Sequence, residues 1–285
     1  MTRTAKSSRL SAHLPEPFLE IHPQDATRLR LSPAALVRVE NDLGGAILRA
    51  RITDAVRPGE VFAPMHWTGE TAPAARIDAV VAPVVDPVSG QPESKASVVK
   101  VTRMKAAWYA FAVSTRPFSP TSAYWARSVT RAGHRAELAG HTAPDDWEAE
   151  ARRLFGLPNA EVAVMADPGR GTARLAFRED GRLVAAIFVS PEPVAVMRDY
   201  VATLPEVPDL SLLSGRAPAD RPDPGPILCS CFDVGVNTIL RGIEEQGLMS
   251  VDAIGAALQA GTNCGSCRPE LAALLAAARS KEAAE

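Results

Sequence analysis

Four cysteines constrain this chain more than any other feature, because two close thiol pairs from separate segments can enclose a metal centre. Cys229 and Cys231 form a Cys-x-Cys pair, and Cys264 and Cys267 form a Cys-x-x-Cys pair after a gap of 32 residues. The 285-residue chain has no other cysteine. The sequence therefore predicts that its last segment folds around all four thiols.

The spacing of the cysteines favours one type of bound group. A single residue between the first two cysteines is tighter than the two to four residues that are usual in zinc sites, so the pattern favours a [2Fe-2S] cluster. Gly235, Gly261 and Gly265 would let the backbone approach such a cluster, and its negative charge would suit the amide groups at helix starts. Zinc and disulfides remain open alternatives at this point.

Apolar residues at helical spacing predict three short helices around the cysteines. The first follows Cys231 and ends at Gly247, the second has Ser250 as its N-cap and ends at Gly261, and the third begins at Pro269. We therefore expect a small all-α [2Fe-2S] domain.

The rest of the chain predicts a multidomain protein. Short β-like runs with one helix starting at His22-Pro23 indicate a β-barrel, and the next part mixes helices with a hairpin as an α+β domain. Residues 205–226 are rich in proline, aspartate, glycine and serine, which is typical of a linker. The expected domains are 1–105, 106–204, the linker 205–226 and 227–285.

Individual elements are expected within these domains. The predicted strands of the barrel are 36–40, 46–53, 61–65, 79–85 and 97–102. The predicted elements of the α+β domain are a helix near 147–155, strands 173–178 and 183–189, and a helix 194–204.

Composition excludes several classes of function. The formal net charge is −2, so nothing calls for a nucleic-acid partner. No apolar run approaches the roughly 20 residues of a membrane span, and the amino terminus lacks a secretory signal. We therefore expect a cytoplasmic protein. Its five histidines show no metal-ligand spacing.

The cysteine segment resembles a known type of [2Fe-2S] domain. The run CSCFDVGVNTILRGIEEQGLMSVDAIGAALQAGTNCGSCRPELAALL is similar to the bacterioferritin-associated ferredoxin type. This resemblance implies that Cys229, Cys231, Cys264 and Cys267 are the four cluster ligands. The same module is appended to assimilatory nitrate and nitrite reductases.

The amino-terminal part resembles another family. MTRTAKSSRLSAHLPEPFLEIHPQDA, GEVFAPMHW and VVDPVSGQPESKASVVKV are similar to the carboxy-terminal, molybdopterin-dinucleotide-binding domain of bacterial assimilatory nitrate reductases. That domain is a double-psi β-barrel. DGRLVAAIFVSPEPVAVMRDYV and the segment before CSCF also resemble this family, so the likeness covers nearly the whole chain.

The resemblance implies contacts with molybdopterin guanine dinucleotide. The implied residues are Thr2, Arg3, Thr4, Met65, His66, Trp67 and Lys95. The chain departs from the family at Asp78 and Val81, where relatives often have asparagine and threonine. No catalytic residue is assigned.

The resemblance also implies a carboxy-terminal fragment. The family's amino-terminal portion carries a [4Fe-4S] motif and the segment that places a ligand on molybdenum, and no cysteine precedes Cys229. The expected partners are that catalytic portion and an electron donor, which could be ferredoxin, flavodoxin or a NADH-dependent reductase subunit.

The leading hypothesis is the cofactor-binding and electron-transfer portion of a molybdenum-dependent assimilatory nitrate reductase, an oxidoreductase that converts nitrate to nitrite, with this fragment inactive alone. The alternative is a standalone [2Fe-2S] adaptor that docks a redox partner. A nitrite-reductase portion is disfavoured because that enzyme needs sirohaem segments, which the sequence lacks.

Overall fold

The computed structural model describes residues 5–204, 210–217 and 222–282. Its amino-terminal part is a five-stranded sheet with short helices. The strand order is β4-β1-β3-β2-β5; β1 and β3 are parallel and the other neighbours antiparallel. Its elements are α1 (Ser8–His13), β1 (Phe18–Ile21), α2 (Pro23–Arg28), β2 (Leu36–Asn41), β3 (Gly44–Ile52), β4 (Val61–Phe62) and β5 (Lys100–Arg103), with 3-10 turns at Pro73–Ala75 and Ile77–Val80.

Local signals explain where several of these elements begin. Helix α2 starts with Pro23 in its first turn, as predicted, and the His22 ring accepts a hydrogen bond from the Gln24 amide at 3.2 Å. Strands β2 and β3 form the expected hairpin, in which the Asn41 side chain accepts from the Leu43 amide at 3.0 Å. The double-psi topology of this part stays a prediction.

The prediction of a strand at 79–85 is wrong. The chain forms the 3-10 turn Ile77–Val80 there and then runs irregularly, with one isolated bridge between Val85 and Pro92. The Asn41 side-chain amide donates to the Val80 carbonyl at 2.8 Å. This carbonyl is therefore bonded to a side chain and not to the backbone of a neighbouring strand. The strand expected at 97–102 starts only at Lys100.

A six-stranded antiparallel sheet follows, in the order β7-β8-β6-β11-β10-β9. One face of the sheet packs against the helix Trp147–Phe155. The other face packs against the 3-10 turns Pro73–Ala75 and Leu210–Ser214. The elements are β6 (Trp108–Ser114), β7 (Tyr124–Val129), β8 (His134–Gly140), α3 (Trp147–Phe155), β9 (Glu161–Asp167), β10 (Thr172–Glu179), β11 (Arg182–Ser190) and α4 (Arg198–Val201), with 3-10 turns at Pro168–Arg170 and Leu210–Ser214.

Helix α3 and the β10–β11 hairpin agree with their predicted positions. The Asp146 carboxylate caps α3 by accepting from the amides of Glu148 and Ala149, and Gly156 ends the helix in the left-handed conformation. Asp180 and Gly181 both have positive φ, at 49° and 74°, as a two-residue hairpin loop of this hand requires.

The segment around 194–217 differs from the prediction. Only Arg198–Val201 is α-helical, because the Met197 amide donates to the Gly215 carbonyl at 2.8 Å instead of joining a longer helix. Within the expected linker, Leu212 and Leu213 are buried on the six-stranded sheet. This part of the linker is therefore packed, while the domain boundaries themselves stay predictions.

The cysteine module contains three helices and a small hairpin, so it is not all-α as expected. Its elements are β12 (Ile227–Cys229), β13 (Val234–Gly235), α5 (Val236–Gln246), α6 (Val251–Leu258) and α7 (Arg268–Glu282). Ser250 caps α6 as predicted, but that helix ends at Gln259, which takes the left-handed conformation before Gly261 is reached. Helix α7 starts one residue before Pro269.

A buried ionic network joins the two large sheets. Arg49 of β3 lies 2.7 Å from Glu16 and 3.7 Å from Glu137 of β8, and Arg198 lies 2.5 Å from Glu137. The Tyr124 hydroxyl donates to Glu16 at 2.7 Å. Because buried charges need such partners, this network fixes how the two sheets pack.

The described part of the chain is mostly sheet with a few helices. Within it, no helix combines the length and the apolar character that a bilayer crossing demands.

Candidate functional site

The hairpin β12–β13 presents the first cysteine pair. Cys229 is the last residue of β12 and Cys231 lies in the turn, where Asp233 has a φ of 54°. A side chain at Gly235 would meet the Pro224 carbonyl oxygen at 2.0 Å, so only glycine allows the chain to close against the hairpin here.

The second cysteine pair lies between α6 and α7. Cys264 is in the turn that follows Gly261, and Cys267 immediately precedes α7. The Leu271 amide donates to the Cys267 carbonyl at 3.0 Å, which places Cys267 at the amino end of this helix.

The fold brings all four cysteines together as two pairs. The Cys231 and Cys264 sulfurs are 3.4 Å apart, and Cys229 and Cys267 lie together in the buried core of the module, where Cys229 influences the Cys267 thiol. All four are free thiols. Each pair takes one cysteine from the hairpin and one from the α6–α7 turn, a cross-pairing that the sequence spacing does not reveal.

The two pairs have different environments. Cys229 and Cys267 are buried in the core of the module, whereas Cys264 is exposed and Cys231 is partly exposed. The buried pair packs with Ile239, Ile254 and Leu271. One side of the centre is therefore shielded from water and the other faces solvent.

The thiol pKa values follow these environments. Hydrogen bonds from the Ser266 hydroxyl and amide, and from Cys231, lower the pKa of Cys264 to about 7. Burial, with a further contribution from Cys229, raises the pKa of Cys267 to about 11. The exposed thiol is thus the easier of these two to convert to the thiolate that binds metal.

The donor set fits a cluster of two irons. Among the described residues, no group of three or more histidine, cysteine or acidic side chains is arranged around a single ion position. Two close thiol pairs suit a centre in which each of two irons takes two protein ligands.

A second candidate site is a cavity of about 1080 Å³ beside the five-stranded sheet, here called the Trp67 cleft. It is lined by four residues expected to contact the pterin cofactor, the consecutive Met65, His66 and Trp67 and the distant Lys95. The described residues that line it are Leu19, Val39, Val61, Phe62, Ala63, Pro64, Met65, His66, Trp67, Ile77, Asp78, Val81, Ala82, Pro83, Ser94, Lys95, Ser97 and Val99.

A compact loop brings Lys95 to this cleft. The Asp86 carboxylate accepts from the amides of Val88 and Ser89 at 3.1 and 2.7 Å, and these bonds lower its pKa. The Glu93 amide donates to the Val84 carbonyl at 3.0 Å, which folds the chain back on itself. Lys95 therefore returns to the side of the cleft that Val81 and Pro83 also line.

The segment Met65-His66-Trp67 forms another wall. His66 has a φ of 80°, a strained conformation for a residue with a side chain. Trp67 is buried, and its indole N–H has no hydrogen-bond partner among the described residues. A strained residue next to an unsatisfied donor is typical of a binding segment.

The other expected site residues have different outcomes. Thr2, Arg3 and Thr4 lie outside the described residues. Asp78 and Val81, noted in the sequence only as departures from the family, both line the cleft. Ser94 and Ser97 also line it and were not predicted; their only signal was proximity to Lys95.

Two family models match the chain. One described as "Molydopterin dinucleotide binding domain" matches residues 1–98, and one described as "BFD-like [2Fe-2S] binding domain" matches residues 227–277. The first range contains the Trp67 cleft almost completely, and the second contains all four cysteines.

Similarity to curated proteins extends across the chain. A nitrate reductase from Klebsiella oxytoca is 37% identical over 97% of this chain, and one from Shewanella frigidimarina is 23% identical over 95%. The chain spans 32% of the length of each. The assimilatory nitrate reductase catalytic subunit of Bacillus subtilis is 31% identical over 35% of this chain and 13% of its own length.

These matches confirm the resemblance seen in the sequence. The chain combines a molybdopterin dinucleotide-binding segment with a BFD-like [2Fe-2S] segment, consistent with the carboxy-terminal part of a nitrate reductase of the molybdopterin oxidoreductase family.

Proposed function

We propose that this chain is the cofactor-binding and electron-transfer portion of a molybdenum-dependent assimilatory nitrate reductase, which reduces nitrate to nitrite in the cytoplasm. The main support is the 37% identity to a nitrate reductase over 97% of the chain, together with both matched segments. The catalytic portion would be the missing partner, and this fragment alone would not reduce nitrate.

In this proposal Cys229, Cys231, Cys264 and Cys267 would hold the [2Fe-2S] cluster. When bound, the cluster supplies one-electron transfer. The chain provides the environment. Core side chains of the module keep water from the Cys229–Cys267 side, and the Ser266 hydroxyl lies 3.1 Å from the Cys264 sulfur.

The Trp67 cleft would hold molybdopterin guanine dinucleotide through Met65, His66, Trp67 and Lys95. The Lys95 ammonium suits a pyrophosphate, and the indole N–H of Trp67, which has no partner among the described residues, suits an acceptor on the cofactor. Roles for Thr2, Arg3 and Thr4 depend on family resemblance alone. The finer architecture is a double-psi barrel, an α+β domain and a cluster module with the boundaries given above.

The cysteine assignment is tested on the full chain purified without oxygen. We expect two irons and two sulfides per chain, a visible spectrum of a [2Fe-2S] cluster and a reduced-state EPR signal. Serine in place of Cys264 or Cys267 should remove these signals, while Ser230→Ala should keep them. Stoichiometric zinc, or thiols joined as disulfides, would overturn the assignment.

The proposed activity is tested separately by adding the amino-terminal portion of a nitrate reductase. Nitrite should form only with both parts present. Nitrate reduction by this chain alone would contradict the proposal. A redox-active cluster in a protein that binds no pterin and supports no nitrite formation would indicate the adaptor instead.

A further inference from the structure

Charge in the Trp67 cleft is carried by two opposite groups. Among the described residues that line it, Asp78 and Lys95 are the only carboxylate and the only ammonium or guanidinium. Both are exposed, and neither side chain forms an ion pair or hydrogen bond with another described residue. Lys95 has a role in the proposed function, whereas Asp78 has none.

The position of Asp78 is fixed by the backbone around it. Asp78 lies in the 3-10 turn Ile77–Val80, whose Val80 carbonyl accepts from the Asn41 amide at 2.8 Å. The same amide group lies 3.4 Å from the Val98 carbonyl oxygen. Asn41 thus connects the turn that carries Asp78 with the segment that follows Lys95.

The β2–β3 hairpin holds this turn from the other side. A side chain at Gly44 would meet the Ala79 carbonyl oxygen at 2.7 Å, so the hairpin and the turn are in close backbone contact. The carboxylate is therefore mounted on an anchored turn and not on a free loop, which suits a group that recognises a ligand.

A carboxylate accepts hydrogen bonds only, so its ligand must present donors. A 2-amino-4-oxopyrimidine ring presents two adjacent donors, a ring N–H and an amino group, whose spacing matches the two oxygens of a carboxylate. Guanine and pterin both contain this ring, and a dinucleotide of the proposed type contains both. Lys95 in the same cleft complements the phosphates that such a ligand carries.

We propose that Asp78 is a specificity-determining residue of the Trp67 cleft, whose carboxylate recognises the 2-amino-4-oxopyrimidine edge of guanine or pterin. This inference depends on the proposed cofactor role of the cleft. It assigns a function to the position where the chain departs from its family, and it predicts selectivity for the 2-amino group.

The test compares ligands that differ at that amino group, using calorimetric titration of the full chain. GMP and IMP form one arm, and pterin and lumazine form the other, since IMP lacks the amino group and lumazine replaces it with a carbonyl. The wild-type protein should bind GMP, pterin or both about tenfold or more tightly than the analogue.

The Asp78→Ala variant should abolish this preference in the arm that Asp78 recognises, leaving a ratio near one. Collapse of the GMP/IMP ratio assigns Asp78 to guanine, and collapse of the pterin/lumazine ratio assigns it to pterin. Because each ratio compares two ligands on the same variant, a general loss of fold or affinity does not imitate the result. Asp54→Ala, at an exposed carboxylate outside the cleft, should leave both ratios unchanged.

Two outcomes contradict different claims. Wild-type ratios that persist in Asp78→Ala overturn the role of Asp78 and leave the proposed function standing. Absence of any binding by wild type in both arms overturns the cleft as a cofactor site. Lys95→Ala should weaken GMP and IMP equally, which identifies its contact as one with phosphate.

Discussion

The hydroxyl of Ser266 lies 3.1 Å from the Cys264 sulfur, on the exposed side of the cysteine module. Hydrogen bonds to a ligand sulfur stabilise the more negative, reduced state of a cluster. Ser266→Ala should therefore retain the cluster but lower its reduction potential by on the order of tens of millivolts, measured by EPR-monitored redox titration. Thr262→Val, whose hydroxyl donates to the Gln259 carbonyl, is the matched control. An unchanged potential would show that Ser266 does not interact with the cluster.

Glu137 is the buried centre of the ionic network between the two sheets. Burial opposes its ionisation, but attraction and a hydrogen bond from Arg198, with the charges of Arg49 and Arg135, hold its pKa below the usual 4.5. A carboxyl group with a lowered folded-state pKa contributes stability above its unfolded pKa and loses it as pH falls through the folded value.

Glu137→Gln should thus lower the free energy of unfolding by about 3 kcal/mol at neutral pH, because Arg198 loses its ion-pair partner and Arg49 keeps only Glu16. Urea unfolding followed across pH should show a constant penalty down to about pH 4.5 and a shrinking one below it. Glu60→Gln, at the exposed Arg57–Glu60 pair, should cost little at any pH. A penalty that does not change in acid would exclude this electrostatic explanation.

At the scale of elements, sequence reasoning succeeded where the signal was local. Asp146 and Gly156 delimit α3, Asp180-Gly181 closes a hairpin, and Ser250 caps α6, because each acts on backbone groups within a few residues. The predictions failed where contacts with residues far along the chain decide the local structure. The run 79–85 is β-like in composition, yet bonds from Asn41 and contact with Gly44 hold its start in a 3-10 turn.

In the candidate site, too, some features are predictable from the sequence and others depend on contacts between distant residues. The spacing predicts that the cysteines are ligands, but the close approach of Cys231 to Cys264 depends on how three helices fold back. The resemblance predicts Met65, His66, Trp67 and Lys95 as cofactor contacts, whereas the place of Asp78 in the same cleft is visible only in the tertiary arrangement.

Gly44 provides a test at this scale. Alanine there would place its side chain 2.7 Å from the Ala79 carbonyl oxygen, so the turn Ile77–Val80 would have to move. We expect a loss of about 1–3 kcal/mol in unfolding free energy and weaker GMP binding in the Trp67 cleft. Gly69→Ala is the matched control, since a side chain there meets nothing within 4 Å. Normal GMP binding by Gly44→Ala would show that the hairpin does not position the cleft.

At the scale of the whole molecule, an ion pair and a helix connect the cysteine module to the six-stranded sheet. Arg131, in the turn between β7 and β8, forms an ion pair with Asp233, in the turn between β12 and β13. Helix α1 contacts both β7 and β12. Within the described residues, this ion pair and α1 both link the module to the six-stranded sheet, and because an exposed ion pair contributes little, we expect the junction to be weaker than the interior of either part.

Arg131→Ala should therefore loosen the junction without unfolding the module. Hydrogen exchange should become a few times faster in Ile227–Cys229 and Ser8–His13, with α6 and α7 unchanged, because exposed ion pairs contribute little individually. Asp233→Asn, which keeps a residue suited to positive φ, should have the same effect. The double variant should exchange little faster than either single variant. Arg170→Ala removes another exposed ion pair away from the junction and should leave these segments unaffected. If the two single effects simply add, Arg131 and Asp233 are not coupled and their ion pair does not hold the junction.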